Sequence, residues 1–330
     1  MNTKVVLTGI KPTGTPHLGN YVGALKPLVA MSKENKTFVF IADLHALNLI
    51  KKPEEIKKHT YEIAALLIAL GLDLNNAVLF RQSDIVQVYQ LSTLLMNVTP
   101  KGLMNRAHSY KAAVEKNIAA GQDEDAGINM GLYTYPILMA ADILLYNTDE
   151  VPVGADQKQH VEFARDIAEY FNHTYGQVFK LPEPIIGEDT GIIPGLDGRK
   201  MSKSYDNVIP LFAPESELKK KIMRIITDSK LPEEPKDPDS STIFQLYKQF
   251  ATEKETEEFR QMFVNGGMGY GTAKTILFDK INGCLCKARA EYERLLSDTS
   301  EIDFILKDGA QKAGAVAANT FEKVHKAMIG

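Results

Sequence analysis

The run Gly198-Arg199-Lys200-Met201-Ser202-Lys203-Ser204 sets two lysines on one short, hydroxyl-rich loop just after Gly195 and Asp197. Two cations so placed can meet the negative charge that spreads during phosphoryl or nucleotidyl transfer. The flanking glycines suggest a mobile loop. A second chemical cluster lies near the N-terminus, where Val5-Val6-Leu7 leads into Thr8-Gly9-Ile10-Lys11-Pro12-Thr13-Gly14 and then His17-Leu18-Gly19-Asn20. A strand, a glycine-containing loop and a helix start form a geometry in which backbone N–H groups hold phosphates. The spacing fits neither a Walker A loop nor a dinucleotide fingerprint. Taken alone, each stretch also reads as an ordinary surface turn.

A third cluster is Tyr133 to Tyr146, strongly apolar but carrying Asp142. A charge in such a setting is costly unless it is paired or hydrogen bonded. Asp142 is therefore a ligand-contact candidate, expected to be met by water when no ligand is bound. Its alternative is a salt bridge or a helix-end contact within the protein. Val151-Pro152-Val153-Gly154 reads as a short strand. A helix is expected from Ala155 to about Phe171, with Val161, Ala164, Ala168 and Phe171 inward. Asp156 and Gln157 would occupy its first turn. Capping explains the Asp; nothing comparable explains Gln157.

The elements that must position these residues alternate along the N-terminal part. Thr37 to Ala42 and Ala77 to Phe80 read as further buried strands. Pro53-Glu54-Glu55 opens a helix that closes at Gly71, with Ile56, Ile63, Leu67 and Leu70 on one face. Short apolar strands alternating with long helices imply a parallel sheet with helices on both faces. Thr8, Asp43 and Gln82 fall at strand exits, where ligands bind in such sheets. Residues 84–130 read as a helical excursion, either two helices packed on the sheet or an inserted hairpin carrying a dimer interface. After the Lys/Ser loop the chain turns mainly helical. Pro214-Glu215 opens a basic helix, Pro232 to Pro238 forms a rigid polar connector, and helical patterns run to Tyr247, from Thr272 to Leu296 and from Ala310 to Met328. Gly266 to Gly271 reads as a loop, since no strand precedes it.

Composition narrows the class. The chain has 330 residues and a formal net charge of -4. That length suits one large domain and a smaller one. No apolar run approaches the roughly 18 residues of a membrane span, and no secretory signal is visible in residues 1–30. The two cysteines, Cys284 and Cys286, are too few for a zinc or iron–sulfur site, so a reducing cytoplasm is expected. The acidic balance gives no support to nucleic-acid binding, so any such surface must be local.

The Gly198–Ser204 run and the His17-Leu18-Gly19-Asn20 motif together resemble the two ATP signatures of the class I aminoacyl-tRNA synthetases. With Tyr135-Pro136-Ile137-Leu138-Met139-Ala140-Ala141-Asp142 and Val151 to His160 added, the chain resembles, over essentially its whole length, the bacterial-type tryptophanyl-tRNA synthetase family. The resemblance implies a Rossmann-like parallel-sheet catalytic domain at 1–205 with a helical insertion at about 84–130. It also implies a mainly α-helical anticodon-binding domain at 206–309, and a final helix at 310–330 that packs back on the catalytic domain. ATP with Mg2+, L-tryptophan and tRNA(Trp) would be its substrates and partners, in a homodimer without membrane attachment or a dedicated metal site. Carried over residue by residue, His17, Lys200 and Lys203 would be catalytic. Lys11, Thr13, His17, Gly19, Asn20, Gly154, Asp156, Gln157, Lys200, Met201, Ser202, Lys203 and Ser204 would bind ATP. His45, Tyr135, Met139, Asp142 and Gln157 would bind tryptophan, with Asp142 accepting the indole N–H. Lys11 stands where the family more commonly has Gln, and Ala155 where many members have Glu. The rival readings are a tyrosyl-tRNA synthetase, a catalytically silent tRNA-binding homologue and a non-synthetase nucleotidyltransferase. An indole offers only an N–H donor, whereas a phenol needs a partner for its hydroxyl.

Overall fold

In the computed structural model, which describes residues 4–154, 157–186 and 193–330, a five-stranded sheet carries the strand order β3-β2-β1-β4-β5. The strands are β1 (Val5–Ile10), β2 (Lys36–Ile41), β3 (Ala77–Arg81), β4 (Glu150–Val153) and β5 (Glu183–Ile186), and every pairing is parallel. The order runs outward one way from β1 to β3 and the other way from β4 to β5. The connections therefore reverse between β1 and β4, opening a crevice at the carboxyl ends of those strands.

Burial explains the strand sequences. Beyond Lys36, every residue of β2 is buried. Phe38 and Phe40 join one apolar cluster, while Val39 and Ile41 join the other. A strand covered on both faces needs such a continuous apolar run. On the first side lie α1 (Leu18–Asn20), which continues through a π-helical turn (Tyr21–Leu25) into α2 (Lys26–Ser32), and α4 (Pro53–Ala69). Pro53 sits at the start of α4, and Gly71 with φ of 86° lets the chain leave it. The short α3 (Asp43–Ala46) follows β2 directly. On the second side lie α5 (Val86–Leu95), α8 (Met130–Leu144) and α9 (Lys158–Tyr175), with α6 (Lys101–Met104) and α7 (His108–Ala119) between α5 and α8. Val88, Leu91 and Leu95 of α5 pack into the sheet's core, so the first half of the excursion is an integral layer. The helix expected from Ala155 begins at Lys158 and runs to Tyr175. Gln157 therefore precedes it as its cap residue and does not lie in its first turn. Ala155 and Asp156 lie outside the described residues.

The C-terminal third comprises α10 (Glu215–Met223), α11 (Thr242–Tyr247), α12 (Glu253–Val264), α13 (Tyr270–Ser297) and α14 (Ser300–Met328). Its core is continuous with that of the first sheet face, through Leu218, Phe244, Phe259 and Ile281. The sequence reading passed over α12, although Thr252 and Glu255 form a reciprocal capping box at its start. The connector before α11 is held from within. Lys236 is buried, and its ammonium donates to the carbonyls of Leu231, Pro232 and Glu234. Among the described residues no helix is long and apolar enough to cross a membrane.

Helix α14 is unbroken from Ser300, ten residues before the expected start. It lies against β3 and α5, with Ala313, Ala317 and Val324 in the second apolar cluster. Gly309 makes that approach possible, because a methyl there would fall on the Leu79 carbonyl. Gly309→Ala is therefore expected to lower the unfolding free energy by roughly 1–3 kcal/mol, as overpacking does. Gly314→Ala on the same helix meets open space and serves as the control. Equal denaturant midpoints for the two variants would overturn this account of the α14–β3 contact.

Candidate active site

The loop after β1 is shaped by local chemistry. Gly14 has φ of 101°, a conformation that favours glycine. His17 caps α1 reciprocally: its Nδ1 accepts from the Asn20 N–H at 3.3 Å, and its own N–H donates to Asn20 Oδ1 at 3.1 Å. An accepting Nδ1 leaves the ring proton on Nε2. The loop is also stitched to the far end of the protein. Leu18 N–H donates to Ile209, and Leu211 N–H donates to Pro16, at 2.9 and 3.0 Å.

The Lys/Ser loop, expected to be mobile, is tied down in this structure by one buried amide. Asn207 donates to Asp197 at 2.7 Å and to the Lys200 carbonyl at 3.1 Å, and it accepts from the Ser202 N–H at 2.8 Å. Gly195 leaves room for that side chain. Met201 is buried, and its sulfur accepts the Gly19 N–H at 3.4 Å. Lys203 reaches across to the Thr13 carbonyl at 3.4 Å. Ser202 caps the single 3-10 turn Lys203–Tyr205. The two motifs thus form one structure at the mouth of the crevice.

Between them and α8 lies a cavity of about 630 Å³, within the size range of small-molecule sites. Its walls carry eleven of the anticipated residues: Lys11, Thr13, His17, Asn20, Ser202 and Lys203 from the two motifs, Gly154 and Gln157 from the exit of β4 and the cap of α9, and His45, Tyr135 and Met139 from α3 and α8. Five others stand outside the lining. Gly19 and Met201 bond each other beneath the loops, Lys200 contributes its carbonyl to Asn207, Ser204 donates its N–H to Ser202, and Asp142 is buried behind His45. Asp156 lies outside the described residues.

Asp142 departs most from expectation. Protein donors meet it. His45 Nε2 lies 3.0 Å from Oδ2, while Gln82 Nε2 donates to Oδ2 at 2.8 Å and to Oδ1 at 3.0 Å. Burial pushes the Asp142 carboxyl up, opposed by the His45 and Gln82 contacts. On α8 it shares the face of Tyr135 and Met139, seven and three residues earlier. From the sequence, Gln82 is only a polar strand exit. Two further residues carry no sequence signal. His160 lines the cavity and meets the Tyr135 ring edge-on at 5.3 Å, with its Nδ1 3.4 Å from the Tyr135 hydroxyl. Ser109 of α7 also donates to that hydroxyl at 3.3 Å, linking the excursion to the pocket. No motif spacing announces either residue.

Comparison with known proteins follows the same lines. A family profile described as tRNA synthetases class I (W and Y) matches residues 2–286. A tryptophan–tRNA ligase of Pseudomonas aeruginosa is 50% identical over 331 aligned positions, covering 99% of this chain and 74% of that protein. One from Neisseria meningitidis is also 50% identical, covering 99% of this chain and 98% of its own length. The crystal structure of tryptophanyl-tRNA synthetase from Campylobacter jejuni, complexed with ADP and tryptophan, matches with a TM-score of 0.89 and 42% identity over 98% of both chains.

Burial, and then the nearby Lys203 charge, pull the His17 imidazole from its ordinary 6.5 down to about 4. The ring is therefore neutral at physiological pH and offers an N–H without a charge. The unfolded chain takes up a proton that the folded chain refuses. Its contribution to stability is thus present above pH 6.5 and is lost as the pH falls towards 4. His17→Asn keeps a capping side chain and should flatten that acid-linked loss. A ring titration by NMR with its midpoint at or above 6.5 would contradict this environment.

Proposed function

The chain belongs to the class I tRNA synthetases, among the tryptophanyl-tRNA synthetases of bacterial type, and we propose that its cavity holds MgATP between the two loops and tryptophan against α8. The enzyme activates L-tryptophan with ATP to tryptophanyl-adenylate and transfers the aminoacyl group to tRNA(Trp). The tyrosyl and silent alternatives give way to tryptophan ligases at 50% identity.

One observation carries the site assignment. Gly19 bonds Met201 and Lys203 reaches Thr13, at a cavity that His45, Tyr135 and Met139 also line. In the first step the tryptophan carboxylate attacks the α-phosphorus and pyrophosphate leaves. In the second, a terminal ribose hydroxyl of tRNA attacks the adenylate's carbonyl, the acyl–phosphate bond breaks and AMP leaves with the hydroxyl's proton passing to its phosphate or to water. A carboxylate nucleophile needs no general base, so the work is positioning and charge stabilisation. His17 donates from Nε2 to a phosphate or ring oxygen. Lys203 and Lys11 supply positive charge to the phosphates, and Lys200 joins them only if its side chain swings inward from its present place outside the lining. Gln157 and Tyr135 receive the amino acid's ammonium group, and Met139 forms a wall for the indole. Asp142 accepts the indole N–H from its place beside His45, since a carboxylate has lone pairs beyond those its two donors occupy. Magnesium enters on the phosphates of MgATP.

The remaining assignments are also ours. Val86 and Tyr89 of α5, with Met96 just beyond its end, are exposed apolar side chains, which supports a homodimer formed through the 84–130 excursion. Helices α10 to α13 form the anticodon-binding unit, supported by the basic run Lys219, Lys220, Lys221 and Arg224. The catalytic unit spans 1–205, and the continuity of α14 moves the last boundary to Ser300. The two cysteines are free and exposed, which suits the cytoplasm.

Two variants test this reading. Lys203→Ala is expected to slow tryptophan-dependent pyrophosphate exchange roughly 30- to 1000-fold, the loss of one preorganised contact in the transition state, while leaving tryptophan binding intact. A change confined to the tryptophan dissociation constant would remove Lys203 from the phosphates. Asp142→Ala should weaken tryptophan by about 1.5–3 kcal/mol. It should also lower stability, because the His45 and Gln82 donors lose their acceptor. Unchanged tryptophan affinity in the folded variant would end the claim that Asp142 reads the indole.

A further inference from the structure

We infer that Gln82 is a positioning residue for indole selection: its amide holds the Asp142 carboxylate in place and ties it to the element that carries His45. This rests on the reading of Asp142 as the indole acceptor and extends it to a residue that touches no substrate.

Gln82 has no exposed surface and sits on the turn that leaves β3. Every polar atom of its side chain is committed. Oε1 accepts the Leu44 N–H at 3.2 Å, and Nε2 spans both oxygens of Asp142. The orientation of the amide follows from chemistry, since a backbone N–H can only donate and a carboxylate can only accept. A second set of bonds locks the same junction from the other side. Asp43 Oδ1 accepts the Ser83 N–H at 3.0 Å, and its Oδ2 accepts the Ser83 hydroxyl. The exits of β2 and β3 therefore clasp each other, Gln82 reaching to residue 44 and Asp43 reaching to residue 83. One clasp ends in Asp142, and α3 carries His45 to the same carboxylate.

The consequence is specific. Asp142 is buried in apolar surroundings and has two side-chain donors among the described residues. Without Gln82, His45 alone would hold a carboxylate free to rotate. Desolvation, already pushing this carboxyl up, would then be opposed by one donor. A protonated or rotated carboxyl no longer presents a fixed acceptor to an N–H.

The test compares tryptophan with β-(3-benzothienyl)alanine, in which sulfur replaces the indole N–H, by pyrophosphate exchange. The unmodified enzyme should prefer tryptophan by roughly 10- to 100-fold, the scale of one hydrogen bond to a charged group. Gln82→Met keeps the volume and removes all three bonds. It should bring that preference close to unity through the tryptophan KM, with the KM for ATP unchanged. Gln82→Glu, the second variant, keeps an acceptor for Leu44 and replaces only the donor. A proton shared between the two carboxyls would then mimic the lost N–H, so the preference should persist at low pH and fall as pH rises. The other ionisable groups near Asp142 are His45, Asp43 and Tyr146. The unmodified enzyme has all three, so its own pH profile is the reference. Asp142→Asn runs in parallel. If Asp142→Asn loses the preference while both Gln82 variants keep it at every pH, Gln82 is only structural and the inference fails. If Asp142→Asn also keeps the preference, the indole reading fails and takes this inference with it.

Discussion

The contact between the Gly19 N–H and the Met201 sulfur is the joint on which the site depends. It is a weak bond by itself, at 3.4 Å to a poor acceptor. Its importance is geometric, because it joins two segments that lie 182 residues apart in the chain and meet at one crevice. The first loop arrives from the end of β1. The second is pinned by Asn207 and joined to the first by the bridges at Pro16, Leu18 and Leu211. A buried methionine under Gly19 fixes the distance between the loops with no charge involved. Lys203 and His17 can then face the same space, and the lysine's charge helps hold the histidine neutral.

Neutral His17 and buried Asp142 show the same physics with opposite sign. In each case burial disfavours the charged form. For His17 nothing nearby opposes that pressure, and the ring gives up its proton. For Asp142 the protein supplies two donors, and the carboxylate is partly protected. A polar group can stand among Met139, Ile143 and Leu144 only because β2 and β3 end at the right height to bring His45 and Gln82 to it. The sheet register that pairs Ile41 with Arg81 is thus part of what holds Asp142 in place.

The helical third is more than an appendage. Helices α10 to α13 share the apolar core beneath the first sheet face, and α14 crosses to the second, passing close enough to β3 that Gly309 is required. A continuous core supplies a mechanical connection between the sheet and the helical third, and the Lys/Ser loop leads towards α10.

By itself the sequence determined what depends on near neighbours. Short apolar runs specified the central strands, proline and glycine specified the bounds of α4, and the two motifs with the α8 pattern specified the chemistry and the family. Its misses were also local in part: α12 had a visible capping box, and α14 carried helical signal back to Ser300. Tertiary structure alone decided the rest. Which motif residues face the cavity depends on contacts such as Gly19 with Met201, 182 residues apart. The partners of Asp142 lie 97 and 60 residues away, at the exits of two different strands. Periodicity reports which face of an element is buried, but it carries no information about which other element covers that face. The sequence could therefore show that Asp142 needed a partner, and only the folded chain could show that the protein had provided one.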